Sequence, residues 1–278
     1  MLSRLLLRYL RAADHPAKLR LVTWLGKTAI PAIGLEKRLP EGLVFYLHPR
    51  DTIEHILLRG DRYEPATLEL LQKNLRSGDG AILAGINFGL HVAVCARAVG
   101  EDGRVVGVEP QAAAVLRTRL NLERNGLSSR VDLLQAALGE KPEILRMAWS
   151  QMHNPGAASL FDEGEGFSVP AVTLEEATPL LAARRFRVLL LDVQGYEFHV
   201  LAGADFARGP EIAIVELDAG FLERSGISAQ SIAGLLERAG YHLFDVYGRA
   251  VQALDAGLPE NNLVAKRPEA NIEWPAVR

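Results

Sequence analysis

Apolar residues in this chain gather into short runs that turn-forming residues separate. Ala81-Ile82-Leu83-Ala84 follows the turn Gly78-Asp79-Gly80 and reads as a buried strand. Leu90 to Val99 then keeps an apolar helical pattern, and Arg104 to Glu109 reads as a second strand that ends on an acid. The alternation continues from there. Strands are predicted near 81–85, 104–109, 130–134, 188–193, 211–217, 241–247 and 261–266, and helices near 89–98, 111–124, 173–183, 197–203 and 229–239. A strand at Leu43–Leu47 and a helix at about Thr67–Leu75 precede them. Such alternation implies an α/β fold, a seven-stranded, mostly parallel sheet covered by helices on both faces. The last two strands have no helix between them, which predicts an antiparallel hairpin at one edge. Segment 140–172, with Lys141-Pro142 and Asn154-Pro155-Gly156, is the least regular stretch and is expected to line a substrate site.

Residues 1–38 differ from the rest. Arg4, Arg8, Arg11, Lys18, Arg20, Lys27, Lys37 and Arg38 face only Asp14 and Glu36, and are interleaved with Leu2, Leu5, Leu6, Leu7, Tyr9 and Leu10. One or two basic amphipathic helices follow from that pattern. They read either as a helical cap packed on the core or on another subunit, or as a peripheral contact with the inner face of a membrane. Residues 1–76 are therefore taken as an N-terminal extension and 77–278 as the main α/β domain.

Composition narrows the class without naming it. The 278 residues are 49% hydrophobic and 23% charged, with a net charge of -3, so nothing attracts the chain as a whole to nucleic acid. The single cysteine, Cys95, excludes an internal disulfide and a cysteine-based zinc cluster. No apolar run spans a bilayer and the N-terminus has no evident cleavage site, so a cytoplasmic location is expected.

The chemistry concentrates at Gly85-Ile86-Asn87-Phe88-Gly89, read together with Glu109. Strand, glycine turn, helix, strand and carboxylate is an order of parts that grips a nucleoside, the acid accepting from ribose hydroxyls. The spacing is not G-x-G-x-x-G, so a pyrophosphate is not implied and a nicotinamide dehydrogenase is disfavoured; a ligand such as S-adenosylmethionine suits it better. Tight strand-to-helix turns also need glycine for steric reasons alone. Asp192 follows the apolar run Val188 to Leu191, where it reads as a desolvated base or as a cap for the next helix. Glu197 belongs to the same site or favours that helix start by its charge. Among seven histidines, His91 lies one turn into the glycine-loop helix, His153 lies in the irregular segment, and His199 follows Asp192. No pair has metal-ligand spacing, and no G-x-S-x-G or Walker pattern occurs.

From about residue 43 to 217 the chain resembles the FkbM family of S-adenosylmethionine-dependent methyltransferases. Gly85 to Gly89 is similar to that family's D-x-G-A-N-x-G motif, and Gly103 to Pro110 to its G-x-V-x-x-x-E-P strand. Asn121 and Asn125-Gly126 resemble N-x-x-x-N-G, Ala136 to Gly139 an A-L-G step, and Thr173-Leu174-Glu175 a T-L-D step. Leu190 to Glu197 is similar to K-I-D-V-E-G-x-E, and Pro210 to Glu216 to P-x-x-x-x-E. The resemblance implies a class I, Rossmann-like methyltransferase domain. It implies methyl transfer to a hydroxyl of a sugar, glycolipid or secondary metabolite, with S-adenosylmethionine as cofactor; the histidine spacing gives no support for a metal. Glu109 would hold the ribose, Gly85, Asn87 and Gly89 the methionine portion, and Ala136 and Ala137 the adenine, although two alanines at a helix–strand junction are also plain packing. Asp192 would face the methyl group, with Asp192, His91 and His153 the candidate proton acceptors. The expected partner is a small-molecule or glycan acceptor; a homo-oligomer stays open. Three departures stand out. Leu83 occupies the family's first-strand acid position, Leu190 its lysine and Gln194 its first glutamate. They leave a second reading, a weak or silent methyltransferase fold serving as a binding or scaffold protein.

Overall fold

In the computed structural model, residues 9, 33–49, 51–149, 158–161, 165–182, 184–252, 254 and 257–277 are described. Of the expected basic N-terminal helices only Tyr9, which is helical, and the stretch from Ile33 onward are described, and there Leu35–Arg38 is a strand held by its pairing with Val44–Leu47, not a helix; His153 lies outside the described residues.

The chain enters through a hairpin. Strands β1 (Leu35–Arg38) and β2 (Val44–Leu47) pair antiparallel, Leu35 opposite Leu47 and Arg38 opposite Val44. Helix α1 (Thr52–Arg59) starts where the Asp51 carboxylate accepts the Glu54 N–H at 3.0 Å and stops on left-handed Gly60. Helix α2 (Pro65–Asn74) opens on proline and lacks a cap of its own. The Glu260 carboxylate, from the far end of the chain, takes its open N–H groups instead, with Ala66 and Thr67 each donating at 2.8 Å.

The central sheet is built from β3 (Asp79–Ala84), β4 (Arg104–Val108), β5 (Val131–Leu134), β10 (Arg185–Leu191), β11 (Ile212–Glu216), β12 (His242–Phe244) and β13 (Asn262–Lys266). Its order is β12-β13-β11-β10-β3-β4-β5, parallel except for β13, which runs antiparallel to both β11 and β12. All seven predicted strands and the antiparallel edge are present. Helices α3 (Leu90–Ala98), α4 (Ala112–Arg124), α5 (Leu174–Ala177), α6 (Glu197–Ala202), α7 (Ala219–Ser225) and α8 (Ala229–Arg238) connect and cover the strands.

Strand alternation sorts the apolar residues into two layers. Leu83, Val105, Leu190 and Ile214 point to one face and pack with α2, α3 and the β1–β2 hairpin. Ile82, Val106, Leu189 and Ala213 point to the other and pack with Ile232 and Leu236 of α8. Two asparagines clamp the hairpin onto the sheet's helical cover. Asn125 accepts the Val44 N–H at 2.8 Å and donates to the Val44 carbonyl at 2.7 Å, while Asn121 accepts the Tyr46 N–H at 2.9 Å.

The irregular stretch expected at 140–172 is in part a second sheet. Strands β6 (Ala137–Leu138), β7 (Glu143–Trp149), β8 (Ala158–Ser159) and β9 (Gly166–Val172) form it in the order β6-β9-β7-β8. Its strands escaped prediction because they are not buried runs: Ile144 is 70% exposed and Pro170 sits inside β9. Helices α1 and α7 also went unpredicted, both being too short to show a clear period. Among the described residues, no helix is long and apolar enough to cross a membrane.

Candidate active site

The parallel strands end along one edge, where their loops meet. Backbone hydrogen bonds carry the ladder one residue past the strands: Gly85 N–H donates to Val108, Asp192 N–H to Ala84, and Glu109 N–H to Leu134, each at 3.0 Å. The chains run so close that a Cβ on Gly85, at φ 76°, would lie 1.6 Å from the Asp192 carbonyl oxygen. One on Gly89, at φ 89°, would lie 2.6 Å from Thr118 Cγ2. Both glycines therefore have a steric reason within the protein itself. Asn87 between them is left-handed, φ 49°, and its carbonyl accepts from Thr118 Oγ1 at 2.9 Å.

Glu109 is turned inward, 4% exposed, and bonded to the glycine loop. Its Oε1 accepts the Gln111 N–H at 2.9 Å and its Oε2 the Asn87 N–H at 3.3 Å. Burial pushes its carboxyl up to about 7, against the pull of those donors. Each oxygen keeps a lone pair for a further donor.

A second group of acids stands at the ends of β10 and β11. Leu191 is in register with Val215, so the next residues, Asp192 and Glu216, are neighbours. Their side chains hydrogen-bond, and burial drives both carboxyls upward. For Glu216 burial is the largest cause, and Asp192, Glu64 and Glu197, which all face it, add to it. Two carboxyls this close titrate as a pair, and each resists ionising while the other is charged.

Tyr63 and Glu64 close this group from the start of α2. Glu64 holds a left-handed backbone, φ 42° and ψ 54°, and its Oε2 lies 3.1 Å from His91 Nε2. Burial pulls His91 down, but Glu64, Asp192 and Glu260 more than reverse it, so the imidazole is raised above its ordinary value. Burial likewise raises Glu64, and the His91 contact outweighs it to leave the carboxyl lowered. Each group favours the charged form of the other. The Tyr63 ring meets the imidazole edge-on at 6.3 Å, and burial among Glu64, Asp192 and Glu216 drives its hydroxyl upward.

The remaining predicted residues divide. Glu197 accepts the Val193 N–H at 2.9 Å and the Gly195 N–H at 3.0 Å, shaping the loop after Asp192; burial pushes its carboxyl up to about 7. Within that loop Gln194 is left-handed, φ 55°, and its buried Oε1 has no hydrogen-bond partner among the described residues. Ala136 is buried in the second core layer, while Ala137 lies in β6 opposite Ala171 and packs with Met147 and Val169. His199 stacks on Tyr196 at 4.5 Å, with Glu140 3.9 Å away. Leu83 and Leu190 are core residues, 1% and 5% exposed. Among the described residues no group of three or more His, Cys, Asp or Glu is placed to hold a metal ion.

Sequence reasoning missed Tyr63, Glu64 and Glu216 as members of this group. Glu216 had a signal, being an acid at the end of an apolar strand as Asp192 nearly is. Glu64 had none, since its place depends on how α2 is docked.

The methyltransferase FkbM domain family matches residues 84–243, more than half of the chain. No curated protein matches it. Among solved structures, a SAM-dependent O-methyltransferase from Thermotoga maritima aligns at 15% identity over 84% of this chain and 77% of its own, with a TM-score of 0.44. A methyltransferase from Geobacter sulfurreducens aligns at 17% identity over 76% of this chain and 83% of its own, with a TM-score of 0.43. An rRNA methylase from Streptococcus thermophilus aligns at 11% identity over 74% of this chain and 98% of its own, with a TM-score of 0.41.

Proposed function

The chain belongs to the methyltransferase FkbM family, and from that premise we propose that it is an S-adenosylmethionine-dependent O-methyltransferase acting on a hydroxyl of a sugar, glycolipid or secondary metabolite. The observation that carries this reading is Glu109, buried at the end of β4 and bonded to the glycine loop, with acceptor capacity left on both oxygens.

The donor set suits an adenosine that carries positive charge. Glu109 accepts the two ribose hydroxyls. The Gly85–Gly89 backbone and the Asn87 amide border the methionine portion, and the adenine lies by the end of β5 beside Ala136 and Ala137. Asp192, Glu216 and the unpaired Gln194 Oε1 supply negative charge and an acceptor where the family's first-strand acid has become Leu83. When bound, the cofactor supplies an electrophilic methyl on a sulfonium. The protein's own task is then to align the acceptor oxygen and take its proton. Asp192 and the Glu64-paired His91 are the groups for that task. His153 is kept as a third proton acceptor, from the segment between β7 and β8.

Calorimetric titration with S-adenosylhomocysteine tests the site, and transfer from methyl-labelled donor to a panel of glycosides and hydroxylated metabolites tests the reaction. Absence of binding by the folded protein removes the reading. A silent scaffold is the second reading, favoured by the buried leucines at positions 83 and 190. Donor binding without labelled product from any acceptor would support it.

A further inference from the structure

Glu64, Glu216, Asp192 and His91 have a further property as a set, and its interpretation rests on the reading just given. Register fixes Asp192 and Glu216 side by side at the ends of two adjacent parallel strands. Every element packed against them adds a charged or ionisable group. The start of α2 contributes Tyr63 and Glu64, α3 contributes His91, the loop after β11 contributes Asp218, and α6 contributes Glu197. Glu109 and Glu260 stand one step further out, facing Asp192 and His91 respectively. Glu64 spends its charge on His91 at 3.1 Å. The remaining pair of acids cannot both ionise in that company, so they hold one proton between them.

The backbone is distorted around the same group. Of the six non-glycine residues with positive φ among the described residues, Glu64, Asn87, Gln194, Glu260 and Asn261 all lie in the loops at this edge; the sixth is Ala182. Strain of this kind persists where surrounding contacts hold it, and it gathers at ligand sites. Two of those contacts come from outside the family-matched span. Glu260 bonds the first N–H groups of α2, and Asn262 donates to Thr67 Oγ1 at 2.9 Å. They fix the turn that carries Tyr63 and Glu64.

We propose that Glu216 is a specificity-determining residue of the donor site: it makes the edge prefer the cationic sulfonium donor to its neutral-sulfur demethylated product, by releasing the proton it shares with Asp192 when the cation arrives. The step balances simply. The proton leaves the Glu216–Asp192 pair for buffer, no other bond changes, and two carboxylates are left facing one positive charge. After methyl transfer the sulfur is neutral, the two carboxylates again repel, and a proton returns to them. The cluster thereby weakens its hold on the spent product.

The test is calorimetry on the full-length protein at pH 7, with S-adenosylmethionine and S-adenosylhomocysteine as probes, each in phosphate and in Tris. Those buffers differ in ionisation heat, so the difference in observed heat counts protons. The expected result is release of close to one proton with S-adenosylmethionine, little with S-adenosylhomocysteine, and at least a tenfold preference for the sulfonium. Glu216→Gln should abolish the release and cut the preference at least fivefold with product affinity retained, and Glu216→Asp should restore part of both. Equal proton counts for the two probes, or an unchanged preference in Glu216→Gln, overturns the proposal while leaving the donor site standing. Failure of both probes to bind the folded wild-type protein overturns the donor site and the proposal together. If Glu216→Gln does not fold, Glu64→Gln supplies the same comparison. By removing one of the carboxylates that face the pair, it should let the pair ionise before the cation arrives and so lower both the proton count and the preference, and no change in either sinks the idea.

Discussion

Two carboxylate sites lie on one sheet edge, and the same chemical group behaves differently in each. At the end of β4, Glu109 is buried but surrounded by donors, with N–H groups from Asn87 and Gln111 on its two oxygens. At the ends of β10 and β11, Asp192 and Glu216 face each other and further acids, and burial with that repulsion holds both carboxyls above their ordinary values. Backbone donors make a fixed acceptor, suited to neutral hydroxyls. Like charges make a site whose ionisation waits for a cation. A carboxylate's role is set by what faces it, not by its residue type.

The strongest way to break this comparison is to force the two sites apart. Gly85 lets the loop bearing Asn87 pass against the Asp192 carbonyl. Gly85→Ala should cost about 3 kcal/mol or more, because backbone rather than a movable side chain blocks the new methyl. Urea unfolding measures it, and a midpoint near wild type would show that the loop can shift freely.

Glu109→Ala separates the two roles by ligand. Losing an acceptor at a buried site typically costs about 1.5–3 kcal/mol, or roughly tenfold to a hundredfold in affinity. Because the ribose is common to both ligands, the loss should be equal for S-adenosylmethionine and S-adenosylhomocysteine in calorimetric titrations. A loss confined to one of them would place Glu109 at the sulfur end.

Stability against pH sharpens the contrast further. Glu109 stands at about 7 in the fold against an ordinary 4.5. A carboxyl raised on folding contributes stability that is complete below the unfolded value and is lost as pH rises through the folded one. Wild type should therefore lose about 2 kcal/mol relative to Glu109→Gln between pH 5 and 7, with the difference levelling off above about pH 8. The same comparison with Glu216→Gln should keep growing past pH 8, since that carboxyl holds its proton much longer. Urea midpoints across pH 5 to 9 decide it, and parallel curves for the two variants would mean the sites are alike after all.

The smallest expected effect lies away from the edge. Asn125→Ala removes the amide that brackets both backbone groups of Val44 and should cost about 1–2 kcal/mol. Faster hydrogen exchange at Val44 and Tyr46, with ligand affinity unchanged, would show that this asparagine docks the hairpin and takes no part in either acid site.

Much of this was legible in the residues. Parallel strands covered on both faces have to be apolar at nearly every position, so Ala81 to Ala84 and Val188 to Leu191 stand out in any reading. Glu109 was legible because it follows such a run, and so was Asp192. The second sheet was not, because one side of β7 meets solvent and its pattern matches no template. The glycines stood out as a turn that a ligand or the chain itself could require, and their spacing did not reveal that Asp192 and Thr118 occupy the space a side chain would take. The Asn121 and Asn125 motif likewise gave no hint that its partner is the β1–β2 hairpin.

By itself the order of residues determined the strands, their alternation with helices, and which acids stand at strand ends, because burial and periodicity are local properties of a chain. Which acids meet was decided only in three dimensions. Strand register set Glu216 beside Asp192, and a cap from Glu260 held α2 so that Glu64 reaches His91. Electrostatic character depends on distance through space, and residues far apart in the chain have no fixed distance until the fold supplies one.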